Sequence, residues 1–129
     1  MGLFNFSKKP DYIPSDEFLS NELCDKYFFR TIPFRLINSN KIVASDPESS
    51  HVITFDPWPE GIFINANGKI TLKEFLIDTA KAYRGQIPPT LEKTIIEEIE
   101  RLIKNNFISV SEFPVELDKS LLYPQSNNL

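Results

Sequence analysis

Two helices, each carrying its own boundary signals and separated by a proline break, constrain this chain more than any other feature. "TLKEFLIDTAKAYRG", residues 71–85, places Thr71 and Glu74 three apart. That is capping-box spacing: the Thr hydroxyl accepts the N–H of residue 74 while the Glu carboxylate reaches back to the N–H of residue 71. Leu72, Phe75, Leu76, Thr79, Ala80 and Tyr83 share one face, and Gly85 is the expected left-handed stop. "QIPP" interrupts the chain, and Thr90 is the expected cap of a longer helix ending near Asn105 or Asn106. Leu91, Ile95, Ile99 and Leu102 form its apolar stripe, widened by Ile96 and Ile103. A helix pair of this kind grips DNA, binds a peptide or fills a core. "FISVSEF", from residue 107, closes the region as a strand.

Upstream, three short runs rich in Ile, Val, Phe and Thr fit a pleated surface: Phe34–Ile37, Lys41–Ser45 and His51–Phe55. "NSN" and "DPESS" separate them with turn chemistry, so three antiparallel strands are expected. "FDPWPEGIFINANGK" reads two ways. Asp56 as cap with Pro57 at the first helical position gives a short helix that Gly68 would end. The rival is a hairpin in which "GIFI" turns through "NANG" into "KITL"; the helix is preferred. In "PSDEFLSNELCDKYFF", Ser15 or Asp16 caps a short helix carrying Phe18, Leu19, Leu23 and Tyr27 at helical spacing. The order is strands, short helix, two longer helices and strand, which is a winged-helix pattern.

The 129 residues suffice for one domain. The formal charge of −4 is spread thinly: four Lys/Arg against five Asp/Glu over residues 1–32, nine against ten over 33–111, and one against three over 112–129. No block is basic, and a nucleic-acid binder needs a positive face to neutralise phosphates. The last long helix adds four acidic to three basic residues, which disfavours DNA reading. The single cysteine, Cys24, forms no internal disulfide. The N-terminal apolar run is short for a secretory signal, Phe6 breaks the myristoylation pattern, and no run approaches membrane-spanning length. A cytoplasmic protein with no membrane association is expected.

Residue by residue, catalytic chemistry finds no foothold. His51 and Cys24 lie far apart, without metal-ligand spacing, so no metal and no cofactor is expected. A Cys24–His51 dyad is disfavoured by the peripheral position expected for Cys24. Glu97–Arg101 and Glu100–Lys104 are i, i+4 pairs on a solvated helix face rather than a catalytic carboxylate pair. "NANGK" lacks the spacing of a phosphate-binding loop. Trp58, between two prolines, is either a staple beside a helix start, the preferred reading, or a partner anchor. The tail "FPVELDKSLLYPQSNNL" either covers the helix pair or forms a free end; a functional version has it filling a groove of its own or a neighbouring copy.

From residue 33 to about 111 the chain resembles the PqqD-like family, peptide-binding domains also called RiPP recognition elements. "SDPESSHVITFD" is similar to the family's acidic turn and third strand, and Phe55–Asp56 falls where Leu-Asn is usual. "NGKIT" stands where the family has its Asp-Gly turn before Thr. "LKEFLIDTAKAY" and "LEKTIIEEIERLIKNNFISV" are similar to its last two helices and closing strand. Pro57, Trp58 and Pro59 depart from the pattern, and residues 1–32, with a possible short helix, and 112–129 are extensions. The resemblance implies an α+β fold, a small three-stranded antiparallel sheet with a three-helix winged-helix bundle. It implies a non-catalytic peptide- or protein-binding module, such as one presenting a precursor peptide to a modifying enzyme. The peptide would add as a strand beside His51, Val52, Ile53, Thr54 and Phe55. Ile96 and Ile103 would then form the groove wall, although a wide core face is the preferred reading of those two isoleucines.

Overall fold

Short strands need neighbours before they are stable, and this chain supplies them in two antiparallel sheets. The computed structural model describes residues 12–37, 41–45, 52–54 and 57–125. The first sheet is the expected meander: β2 (Phe34–Ile37), β3 (Lys41–Ser45) and β4 (Val52–Thr54). Its register pairs Phe34 with Ala44 and Ala44 with Ile53. The "NSN" and "DPESS" turns lie outside the described residues, as do His51, Phe55 and Asp56.

The second sheet departs from expectation. β1 (Tyr27–Arg30) comes from the segment read as an N-terminal extension, yet it is the middle strand, between β5 (Asn67–Thr71) and β6 (Ile108–Ser111). The helix expected to reach Tyr27 is a single turn, α1 (Asp16–Leu19), capped by the Ser15 hydroxyl as anticipated. It stops because the Asn21 side-chain oxygen accepts the Leu23 N–H at 2.9 Å, drawing the backbone into an Asx-type turn. Beyond the turn, burial alternates and points Phe28 and Arg30 inward, a period of two hidden in a run of aromatics.

The short helix wins over the hairpin as α2 (Pro57–Asn65), with Pro57 at its first position. It ends before Gly68, which instead sits inside β5 at φ +80°. α3 (Leu72–Lys81) begins with the expected capping box: Thr71 and Glu74 exchange both bonds. It ends earlier than expected, because Ala82 and Tyr83 donate back to the Thr79 and Ala80 carbonyls in a tightened last turn. Gly85, at φ +106°, therefore belongs to the linker rather than to the helix stop. α4 (Leu91–Lys104) starts without a side-chain bond from Thr90, contrary to its expected role as cap. Its other end is a Schellman motif: the Phe107 N–H bonds the Leu102 carbonyl, the Asn106 N–H bonds that of Ile103, and Asn106 takes φ +64°.

The three longer helices and both sheets enclose one core. Phe28, Ile62, Phe63, Leu76, Ile95 and Ile99 are fully buried. Burying a side chain of this size contributes about 1.5–3 kcal/mol. Two edge-on ring contacts bind the layers: Phe28 to Phe75 at 5.7 Å joins β1 to α3, and Phe34 to Phe63 at 5.6 Å joins β2 to α2. After β6 the chain crosses back over the molecule and forms a last single turn, α5 (Lys119–Leu122).

Candidate peptide-binding edge

An antiparallel meander of three strands has two edges, and the edges of this sheet differ. On one side, the Phe34 carbonyl of β2 accepts the N–H of Gln125 at 2.8 Å, so the chain's own tail lies against it. On the other side, β4 pairs with β3 and, among the described residues, with no second strand. Val52, Ile53 and Thr54 thus form an edge strand, whose alternate N–H and C=O groups point away from the sheet.

The isoleucines expected to wall a groove beside this edge are half-buried at the margin of the core. The main packing partners of α4 are α2, α3 and β6, and β4 is not among them. Ile96 faces α1: with Phe18 and Pro89 it forms the apolar part of a hollow of about 560 Å³, rimmed by Glu17, Glu92 and Glu97. Glu92 fastens the wall of that hollow. Its carboxylate accepts the Tyr12 hydroxyl at 2.9 Å and the Ser15 N–H at 2.9 Å, as well as the Ser15 hydroxyl. Burial pushes its pKa up, but the Ser15 hydroxyl, Ser15 amide and Tyr12 hydroxyl outweigh burial and hold it below the ordinary value. Tyr12 moves the opposite way: burial, the bond to Glu92 and the charge of Glu92 all raise its pKa.

Trp58 lies in the first turn of α2. It packs half-buried against the core, and it also lines a shallow, mainly apolar hollow of about 350 Å³ with Gly61, Phe75, Thr79 and Ala82, between α2 and α3. Cys24 is buried, and burial raises the pKa of its thiol, with Asp25 adding to the shift and Lys73 opposing it. A thiol held protonated in this way is a poor nucleophile. Among the described residues no three His, Cys, Asp or Glu side chains gather as metal ligands do, and no helix is long and apolar enough to cross a membrane.

The most conspicuous polar group escaped sequence reasoning. Arg30 is 2% exposed, and all four of its acceptors are main-chain carbonyls. Nη1 donates to Phe63 and Ile64 at 2.9 and 2.8 Å, in the last turn of α2, where helix carbonyls lack intrahelical partners. Nε and Nη2 donate to Leu121 and Leu122 at 2.7 and 3.1 Å, in α5. The Phe34 and Phe63 rings lie 5.0 and 5.8 Å from the guanidinium carbon. Burial lowers the Arg30 pKa from its ordinary value. The one signal in the sequence was a lone charge at an inward position of "YFFR".

A scan against protein-family models and searches of curated proteins and of solved structures returned no match to this chain.

Proposed function

We propose that the protein is a non-catalytic peptide-binding module that accepts an extended segment as an added strand on β4. The observation that carries this reading is the asymmetry of the meander. The chain's own tail occupies the β2 edge through the Gln125 to Phe34 bond, while the β4 edge has no strand partner among the described residues. Strand addition supplies affinity through main-chain hydrogen bonds, and side chains alternate between the two faces to give specificity. The finer fold reading is a winged-helix core of PqqD-like type. It is supported by the succession α2, β5, α3, α4, β6, with β1 as the middle strand of the wing sheet. In that setting the bound segment is a precursor peptide and the partner is the enzyme that modifies it.

The test is selection from a displayed random-peptide library on the wild-type chain, followed by affinity measurement on two edge variants. Proline removes one outward or one inward N–H, depending on parity. Val52→Pro/Thr54→Pro and Ile53→Pro therefore probe the two hydrogen-bonding edges of the strand in turn. We expect one variant to keep its circular dichroism spectrum and lose at least tenfold in peptide affinity. Failure to select any binder, or equal affinity for both folded variants, would sink the reading.

A further inference from the structure

The segment from Glu112 to Gln125 runs as a strap across both sheets, held by main-chain bonds to sheet edges and by three cations. Lys26, just before β1, pairs with Glu112 at 3.1 Å. Val115 donates its N–H to the Gly68 carbonyl at 2.9 Å, on the edge of β5 that β1 leaves open. Lys69 pairs with Glu116. Arg30 reaches the Leu121 and Leu122 carbonyls, and Gln125 closes on Phe34 at the outer edge of β2. The strap thus lies on two sheet edges and along three cations. Residues 112–129 carry three acidic groups against one basic.

The strap is lightly held. No residue of α5 is buried, and Phe113 and Tyr123 are 73% and 59% exposed. Its two ion pairs involve carboxylates that are 72% and 90% exposed. Exposed pairs of this kind hold weakly and are screened by salt. Beneath it, Arg30 turns Nε and Nη2 toward the strap. Those two donors form one side of the guanidinium fork, the geometry that receives both oxygens of a carboxylate. Here the fork holds two neutral carbonyls, so a buried cation faces no counter-charge from any of its four acceptors.

We infer that the strap is the intramolecular occupant of a binding site for an acidic extended peptide, formed by the outer edges of β5 and β2 together with Lys26, Lys69 and Arg30. A partner segment displaces the strap, pairs its main chain with the edges at Gly68 and Phe34, places acidic side chains on the two lysines and delivers a carboxylate to the Arg30 fork. The site is separate from β4 and stands whether or not β4 binds a peptide.

In cis the strap competes at an effective concentration of the order of millimolar, so a free peptide must be tested against a weakened strap. The host is the full chain carrying Glu112→Lys and Glu116→Lys, both at exposed positions. The probe is a fluorescein-labelled peptide with the wild-type sequence of residues 112–129, read by polarisation. The expected result is binding at least tenfold tighter to this host than to the wild-type chain. Affinity should fall with added salt, and fall severalfold when Lys69→Glu is added to the host. A peptide with Lys in place of Glu112, Glu116 and Asp118 should bind at least tenfold more weakly than the wild-type peptide. Equal binding to both hosts, binding to neither, or no preference for the acidic peptide overturns the proposal. Light scattering accompanies the assay: a dimer formed by the host mixed with wild-type chain would mean that strap exchange between copies, not an outside peptide, is what the site serves, and would also overturn it.

Discussion

Replacing Arg30 by methionine tests the physical account of the fold most directly. The side chain makes four hydrogen bonds between 2.7 and 3.1 Å, all to neutral carbonyls. Methionine fills a similar volume and removes a desolvated cation, which by itself favours the variant. Against this, the acceptors lose their donor unequally. The Phe63 carbonyl keeps a second bond from the Ala66 N–H at 3.2 Å. Leu121 and Leu122 are half-buried, so water reaches their carbonyls at modest cost. Ile64 loses its donor at the end of α2. With about 1.5 kcal/mol for each of the four charge-assisted bonds, less about 3 kcal/mol for the relief of desolvation, the net loss is about 3 kcal/mol. In a domain of this size that lowers Tm by about 10 °C.

Arg30→Lys separates charge from geometry. An ammonium presents its donors from one point and does not span carbonyls at the end of α2 and in α5 at once. Lysine should therefore recover less than a third of the loss. Urea denaturation followed by circular dichroism gives the stabilities, and hydrogen exchange at the Val115 and Gln125 amides reports the strap, which should open in both variants. A methionine variant within about 0.5 kcal/mol of wild type, or a lysine variant with full stability and full protection at those amides, would refute the reasoning, since ordinary surface changes fall in that range.

Five further variants test local geometry. Thr71→Ala removes a formed capping box and should cost about 1 kcal/mol, whereas Thr90→Ala removes no side-chain cap bond and should stay within about 0.5 kcal/mol of wild type in the same denaturation assay. Gly61→Ala, in α2 with nothing within 4 Å of an added Cβ, should stabilise by about 0.5–1 kcal/mol. Gly68→Ala should instead cost about 2 kcal/mol or more and raise exchange at Val115, because its Cβ would lie 2.5 Å from the Val115 carbonyl oxygen at φ +80°. Glu92 has its folded pKa lowered, so its contribution is present above its ordinary value of 4.5 and is lost as pH falls through the lower folded value. Ser15→Ala should flatten that acid limb of the urea-stability profile; an unchanged limb would remove Glu92 from the account.

Sequence reading succeeded where the signal is local. The three strands from Phe34 to Thr54 follow their runs of β-branched and aromatic residues, α2 begins at a proline suited to a first turn, and the stripe of α4 runs to the asparagines that end it. It failed where pairing is distant. β1 meets β6 about eighty positions away, with Tyr27 opposite Ser111, and nothing in "KYFFR" marks that partner. β5 was read as turn chemistry because Asn67 and Gly68 are turn residues; the Gly is required there because the strap passes directly over it. At the candidate site, β4 was legible as a strand from its composition. The side of α4 that Ile96 faces was not, because it depends on Glu92 fastening Ser15 and Tyr12 across the fold.

The two proposed sites can be told apart by the sign of one measurement. β2 and β4 flank β3 in a single sheet, and the Phe34 carbonyl that holds Gln125 belongs to β2. A segment added at β4 lengthens the sheet on the far side and leaves the strap's attachments intact. Such a ligand binds the native arrangement, so by linkage it raises the free energy of every opening that disrupts this sheet. Exchange at Gln125 should therefore slow or stay constant. A ligand that displaces the strap binds only after Val115 and Gln125 have let go of Gly68 and Phe34, so exchange at both amides should accelerate as it is added. A peptide that frees both amides acts beneath the strap, and one that slows Gln125 or leaves both unchanged acts through β4, because only the ligand beneath the strap forbids those two hydrogen bonds.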